Sequence, residues 1–235
     1  EGRAVPARDY GHDLDAMLAA IDANTRVVFL ANPNNPTGTW FDAQALERFL
    51  GAVPEQVLVV LDEAYIEYAE GADLPDGLDY LGRFANLLVS RTFSKAYGLA
   101  ALRVGYALSS PQIADVLNRV RQPFNVNSLA LTAAVAALQD EDYLIASRQL
   151  NDAGMQQLES GLRDLGLRWI PSKGNFIAVD FATDTAAINQ ALLREGVIVR
   201  PIAGYGLPHF LRVSIGTERE NARFLEALSK ALGRG

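Results

Sequence analysis

Lysine is scarce in this chain: Lys95, Lys173 and Lys230 stand beside 18 arginines. Lys95 has the most apolar setting, with Phe93, Ala96, Tyr97, Gly98, Leu99, Ala100, Ala101 and Leu102 around it. Burial there disfavours the ammonium form and lowers the amine pKa, as a lysine that forms an imine with a carbonyl compound requires. An isolated lysine at a helix start more often snorkels to water. The neighbourhood shifts that balance. Thr92 and Ser94 bring hydroxyls three and one residues earlier, and Arg103 brings a guanidinium eight residues later. Hydroxyls, backbone amides and a guanidinium in one short segment make a cup for a phosphate.

Asp62 ends the apolar run Val57-Leu58-Val59-Val60-Leu61. An acid in that place either caps the following turn or, as a buried carboxylate, keeps a pyridine nitrogen protonated so that the ring acts as an electron sink. Tyr65, three residues on, could set its phenol near the same ring, whereas Glu63 and Glu67 read as solvated or structural. The stretch Asn32-Pro33-Asn34-Asn35-Pro36-Thr37-Gly38 is stiffened by two prolines. It is either a plain strand-to-helix loop or a mount for the Asn35 amide as a donor to a ring oxygen. Arg212 lies inside Phe210-Leu211-Arg212-Val213-Ser214-Ile215 and shares a side with Phe210 and Ser214. Such an arginine points to solvent or grips an anion bidentately, and periodicity does not choose between the two. Arg200 closes the preceding apolar run, and His209 reads as a structural loop residue.

The rest of the sequence indicates what could hold such residues. With 49% apolar and 21% charged residues the chain can build an ordinary core. Its 235 residues allow one large domain or up to two smaller ones. A formal net charge of -7 is unsuited to nucleic acid, which needs a basic face. No apolar run reaches the length of a membrane span, and the opening Glu1-Gly2-Arg3-Ala4 lacks a secretory signal's apolar stretch. The absence of cysteine excludes disulfides, thiolate metal sites and a cysteine nucleophile. His12 and His209 alone make a multi-histidine metal centre improbable, so no metal is expected. These traits predict a cytoplasmic protein.

Elements alternate over the first 110 residues or so. Asp13 opens a helix with Leu14, Met17, Leu18 and Ile21 inward, and Asp42 opens another with Ala45, Leu46, Phe49 and Leu50 inward. Short apolar runs over Val27 to Ala31, Val57 to Leu61, Leu87 to Ser90 and Val104 to Leu108 read as buried strands. Such an alternation implies a mostly parallel sheet covered on both faces, with ligands near the strand ends. From Ser110 the pattern is helical: Pro111 begins a helix with the stripe Ile113, Val116, Leu117 and Val120. Asn127 caps a helix to about Gln139, and a long helix follows from about Glu141 to Leu165. Beyond lies a smaller α+β unit, with strands over Phe176 to Asp180, Val197 to Arg200 and Phe210 to Ile215. A helix to about Glu195 is stopped by Gly196. Thr217 and Glu220 have capping-box spacing for a last helix with Phe224, Leu225, Leu228 and Leu232 inward. The expected division is 1–145 for a large domain and 146–235 for a small C-terminal one, with the junction in the long helix.

Taken in order, these residues resemble the fold-type I pyridoxal-phosphate aminotransferases, of class I/II. Asn35 in its N-P-T-G context, Asp62 and Tyr65 in D-E-A-Y, Thr92-x-Ser94-Lys95, and Arg103 followed by Val-Gly match that family's cofactor-binding series in type, order and spacing. Each motif is weak alone; the ordered set is strong. Within the family, the phrases ANPNNPTGT, LDEAYIEYA, RTFSKAYGLAALRVGY and GVIVRPIAGYGLPHFLRVSIGTERENARF are similar to the histidinol-phosphate aminotransferases. The resemblance covers essentially the whole chain.

It implies an α/β, aspartate aminotransferase-like (PLP-transferase) fold and pyridoxal 5'-phosphate as cofactor. Lys95 would carry the cofactor and later act as base in a 1,3-proton shift. Asp62 would pair with the ring nitrogen, Asn35 and Tyr65 with the ring hydroxyl, and Thr92, Ser94 and Arg103 with the phosphate. Arg212 corresponds to the arginine that holds a substrate anion, with Arg200 helping toward a substrate phosphate. The implied reaction moves an amino group from glutamate to imidazole-acetol phosphate, reversibly, in histidine biosynthesis, by a homodimer. Members are longer, so the resemblance also predicts a fragment that begins partway into the large domain. It would lack the first strands, a glycine-rich phosphate loop and a ring-stacking aromatic, and would expose an unpaired sheet edge. The alternatives are a threonine-phosphate decarboxylase-like lyase, a broad or aromatic aminotransferase, and a catalytically inactive fragment.

Overall fold

Short apolar runs that end in polar turns build the first sheet of the computed structural model, which describes residues 1–69 and 73–234. They are β1 (Val27–Ala31), β2 (Leu58–Asp62), β3 (Leu87–Thr92) and β4 (Gly105–Ser109), in the order β1-β2-β3-β4. β1 pairs with β2 and β2 with β3 in parallel, while β4 runs antiparallel to β3. Asp62 is thus the last residue of β2 itself, paired with Ala31 on one side and Ser90 on the other.

One face of the sheet is covered: Leu30, Val59, Leu61, Leu87 and Val89 share it and are almost fully buried. Val27 and Phe29, on the other face of β1, stand exposed, so cover on both faces, expected from the apolar runs, is not met among the described residues. Two helices supply cover. α1 (Leu14–Ala19) and α2 (Ala43–Ala52) start where Asp13 and Asp42 accept the N–H of Ala16 and Ala45. Leu46, Phe49 and Leu50 of α2 join the strands' core, and Leu14, Met17, Leu18 and Ile21 pack against it. Because β1, β2 and β3 run the same way, their C-terminal ends deliver Asn32, Glu63 and Phe93 to one edge of the sheet. Among the described residues neither β1 nor β4 pairs with a further strand. On β1 the Ala31 N–H donates instead to His12 Nε2 at 3.1 Å.

The chain divides into two compact units, Glu1–Asn34 with Trp40–Leu144 and Asn35–Thr39 with Ile145–Gly235. α3 (Pro111–Val120) and α4 (Ser128–Gln139) belong to the first. Pro111 begins α3, yet its apolar stripe is not a buried one: Val116, Leu117 and Val120 are exposed. Amphipathic spacing records a face suited to a partner, and no described element of the unit covers this one. α5 (Glu141–Asp164) begins in the first unit and ends in the second.

The second unit holds an antiparallel sheet of β5 (Arg168–Ile170), β6 (Phe176–Asp180), β7 (Arg200–Pro201) and β8 (Phe210–Ser214), ordered β5-β6-β8-β7. Its core joins Ile177, Val179, Leu211 and Val213 to Leu158 and Leu162 of α5, to Leu192 of α6 (Ala186–Arg194) and to Phe224 and Leu228 of α7 (Glu218–Ala231). Thr217 and Glu220 form the capping box that starts α7. The strand read over Val197 to Arg200 shortens to Arg200–Pro201. Gly196 turns the chain at φ +76°, Ile198 stands 86% exposed, and only the end of the run reaches β8. Among the described residues no helix is long and apolar enough to cross a membrane.

Candidate active site

The edge where β2 and β3 end gathers six of the residues singled out by sequence. Asp62 closes β2, and Tyr65 follows it, buried, just before a short 3-10 turn over Ile66–Tyr68. Thr92 closes β3 and leads into a tight loop. The Thr92 hydroxyl oxygen accepts the Ser94 N–H at 3.0 Å, Gly98 N–H bonds back to Lys95 O, and Leu99 N–H to Phe93 O. Phe93 anchors that loop, buried with its ring centroid 5.1 Å from Tyr97 and 5.5 Å from Tyr106.

Lys95 comes out of this loop half-buried, with its Nζ 5.2 Å from the centre of the Tyr65 ring. Arg103 takes a left-handed conformation at φ +56°, sparsely populated for a residue with a Cβ. From there its Nη1 donates to Ala100 O at 2.8 Å and to Ser94 Oγ at 3.4 Å. Thr92, Ser94 and Arg103 therefore converge as two hydroxyls and an exposed guanidinium, a donor set of the kind that grips a phosphate.

Asp62 faces open space at the mouth of the site, yet the strand ends crowd it. That burial pushes its carboxyl above the ordinary value, against the downward pull of the Ala64 N–H, which it accepts at 3.0 Å, and of the Lys95 ammonium. A carboxyl held up in this way, and electrostatically coupled to a lysine, is suited to a cationic ring nitrogen.

The other three candidates lie in the second unit. Arg200 and Arg212 stand directly opposite each other on β7 and β8. Opposed residues of an antiparallel pair share a face with Cβ atoms about 5 Å apart. Two guanidiniums so placed repel each other unless an anion lies between them. Arg212 is fixed further: its Cζ lies 4.8 Å over the Phe176 ring, and its Nη1 donates to Asn35 Oδ1. An amide whose oxygen is held in this way keeps its NH₂ for donation elsewhere. Asn35 itself sits in the segment Asn35–Thr39, which Lys173 ties down by donating its N–H to Gly38 O. Gly38 is required there: its φ is +79°, and an added Cβ would sit 2.0 Å from Ser172 Oγ. His209 takes no part in this pair; its carbonyl accepts the Phe181 N–H.

Sequence reasoning missed a buried network behind Asp62. Glu63 and Glu67 are not solvated but buried. Arg91 donates from Nε and Nη2 to Glu63, at 2.9 and 2.7 Å, and from Nη2 to Asp76 at 2.6 Å. Burial pushes the Glu63 carboxyl up to about 7 even against the charge of Arg91, while Glu63 and Asp76 hold the Arg91 guanidinium firmly charged. The signal in the sequence was alternation: if Asp62 faces the site, Glu63 faces the covered side of the sheet.

A mostly parallel sheet with a lysine, an acid and a phosphate-type donor set at its strand ends, followed by an antiparallel α+β unit carrying an arginine pair, defines a class. The chain belongs to the family described as aminotransferase class I and II, which matches residues 2–228. Among its relatives, histidinol-phosphate aminotransferase 2 of Pseudomonas aeruginosa is 77% identical over 232 residues, covering 99% of this chain and 63% of that protein. The crystal structure of histidinol-phosphate aminotransferase from Sinorhizobium meliloti in complex with pyridoxal-5'-phosphate matches with a TM-score of 0.92 at 37% identity, over 98% of this chain and 64% of that one. A tetra mutant of Thermus thermophilus aspartate aminotransferase matches with a TM-score of 0.80 at 24% identity, which shows the aspartate aminotransferase-like fold alone. The chain spans under two thirds of the length of the curated relatives it matches most fully.

Proposed function

We propose that this chain forms part of a pyridoxal-phosphate-dependent aminotransferase that exchanges an amino group between histidinol phosphate or imidazole-acetol phosphate and glutamate or 2-oxoglutarate. The observation that carries the proposal is the gathering of Asp62, Lys95 and the Thr92, Ser94 and Arg103 donors at one edge of the sheet, where β2 and β3 end. These residues fit the cofactor at both ends, with donors for a phosphate and an acid for a ring nitrogen. Bound there, pyridoxal 5'-phosphate supplies an electron sink for the α-carbon of an amino acid.

The chain's own residues divide the remaining work. Thr92, Ser94 and Arg103 hold the phosphate. Asp62 keeps the ring nitrogen protonated, and its raised carboxyl is relieved when a cation arrives opposite it. Tyr65 would hydrogen-bond the ring oxygen; Asn35, whose side chain Arg212 orients, is the donor that the family resemblance assigns to the same role. Lys95 would hold the cofactor through its amine, and that amine would be the group that moves the α-proton. Arg200 and Arg212 take the substrate anion, a role supported by their opposed register.

The names of the relatives support histidinol phosphate as the substrate, and 1–145 and 146–235 as the large and small domains follow the same family pattern. A homodimer and a cytoplasmic location complete the proposal, the latter supported by an acidic, cysteine-free composition. The protein expressed from its complete gene is assayed with histidinol phosphate and 2-oxoglutarate, and separately with threonine phosphate. Glutamate formation from the first pair is expected. Carbon dioxide release from threonine phosphate without amino transfer would overturn the assignment in favour of a lyase.

A further inference from the structure

We propose that the Glu63–Arg91 ion pair is a positioning device that sets Asp62 and Thr92 at the strand ends; it deepens the cofactor reading above and rests on it. β2 and β3 are parallel with Asp62 opposite Ser90, and the Glu63 N–H donates to Ser90 O at 2.9 Å. One step further along each strand brings Glu63 beside Arg91. Successive residues of a strand point to opposite faces. Asp62 and Thr92 therefore share one face, and Glu63 and Arg91 share the other. The pair lies directly behind the site, one residue out of phase with it on both strands.

The pair is built for fixed geometry. Both side chains are withdrawn from water, Glu63 at 1% exposure and Arg91 at 11%. The Arg91 fork meets one carboxylate oxygen of Glu63 through two nitrogens, and the other oxygen accepts the Gly77 N–H at 2.6 Å. Gly77 makes that approach possible: an added Cβ would lie 2.8 Å from Glu63 Oε1, Leu61 Cδ2 and Val89 Cγ2. Asp76 accepts from Arg91 and, through the same oxygen, from the Leu78 N–H, so a second segment is tied to the same guanidinium. A buried ion pair contributes little net stability over an apolar replacement. A planar fork on a carboxylate does impose one orientation, which an ammonium would not. Asp62 is bonded to Glu63 and Thr92 to Arg91, so a shift of the pair displaces the acid and the phosphate-side hydroxyl together.

The test removes the pair without leaving a buried charge alone, as Glu63→Gln with Arg91→Met in one chain. Wild type and variant are compared by thermal melting without cofactor, by equilibrium dialysis of pyridoxal 5'-phosphate, and by the pH at which the bound cofactor's absorbance changes. Melting within about 4 °C of wild type is expected. Cofactor binding should weaken about tenfold and the spectral titration should move, because a small misplacement of a supporting shell is costly. A folded variant with wild-type binding and titration overturns the proposal alone. If the double variant does not fold, Arg91→Lys, which keeps the charge and loses the fork, replaces it. Weaker binding with a moved titration then supports the pair's role, and wild-type values overturn it. Wild type and variants are made as the protein expressed from its complete gene, and a wild type of that length that binds no cofactor removes the reading of the site, and the proposal with it.

Discussion

The two sheets carry their candidate residues in different ways. In the parallel sheet Asp62 and Thr92 are the last residues of their strands, and Lys95 and Arg103 follow on the connecting loop. In the antiparallel sheet Arg200 and Arg212 sit within strands, facing each other across the β7–β8 ladder. The parallel strands carry apolar side chains into the core on their covered face, so polar groups are displaced to the strand ends, where loops and backbone N–H groups converge. An antiparallel sheet can leave part of a face open, so a charged side chain can stand inside the strand and be directed by register. The first arrangement suits a site assembled from several loops; the second suits an anion clamp on a rigid ladder.

That contrast predicts different consequences of mutation. Asp62→Ala should reduce amino transfer by about 100-fold or more, since proton-holding and proton-transfer groups at a reacting centre contribute at that level. A single-turnover assay with cofactor in excess checks it, and near-wild-type rates would remove Asp62 from the site. Arg212→Ala should raise the substrate KM by roughly 10- to 100-fold, the value of lost charge-assisted hydrogen bonds. Dialysis should find cofactor binding less affected, and an equal loss of both would erase the distinction between the two units.

The smallest effect concerns His12, which lies outside both clusters. Burial holds its imidazole below the ordinary value of 6.5, and in the neutral form its Nε2 accepts the Ala31 N–H. A lowered folded-state pKa means that the unfolded chain takes the proton first. The His12 contribution to stability is complete above pH 6.5 and is lost as pH falls toward the folded value. His12→Gln keeps an acceptor without titrating. Melting temperatures measured across that range should fall less steeply for the variant, and parallel curves would exclude His12 as the source.

Sequence reasoning was most successful where chemistry and chain order coincide. Asp62 and Thr92 end neighbouring parallel strands, and a tight loop after Thr92 carries Ser94 and Lys95, so residues that the sequence grouped by type, order and spacing stand at one sheet edge. Helix starts at Asp13, Asp42 and Thr217 were equally legible, because the capping side chain is in the sequence. Register was not. Periodicity left Arg212 undecided, and only the strand pairing shows that it stands opposite Arg200. The same holds for Glu63 and Arg91, which become partners only when β2 and β3 are known to be adjacent and parallel. The α3 helix was legible from its stripe, but spacing describes a face and not its cover, and Val116, Leu117 and Val120 stand exposed.

The central claim is that Lys95, alone among three lysines, carries the cofactor. Incubation with pyridoxal 5'-phosphate, reduction with borohydride and peptide mapping tests it directly. The account predicts a single labelled peptide containing Lys95, lost in Lys95→Ala. A label on Lys173 or Lys230 with Lys95 untouched would contradict it.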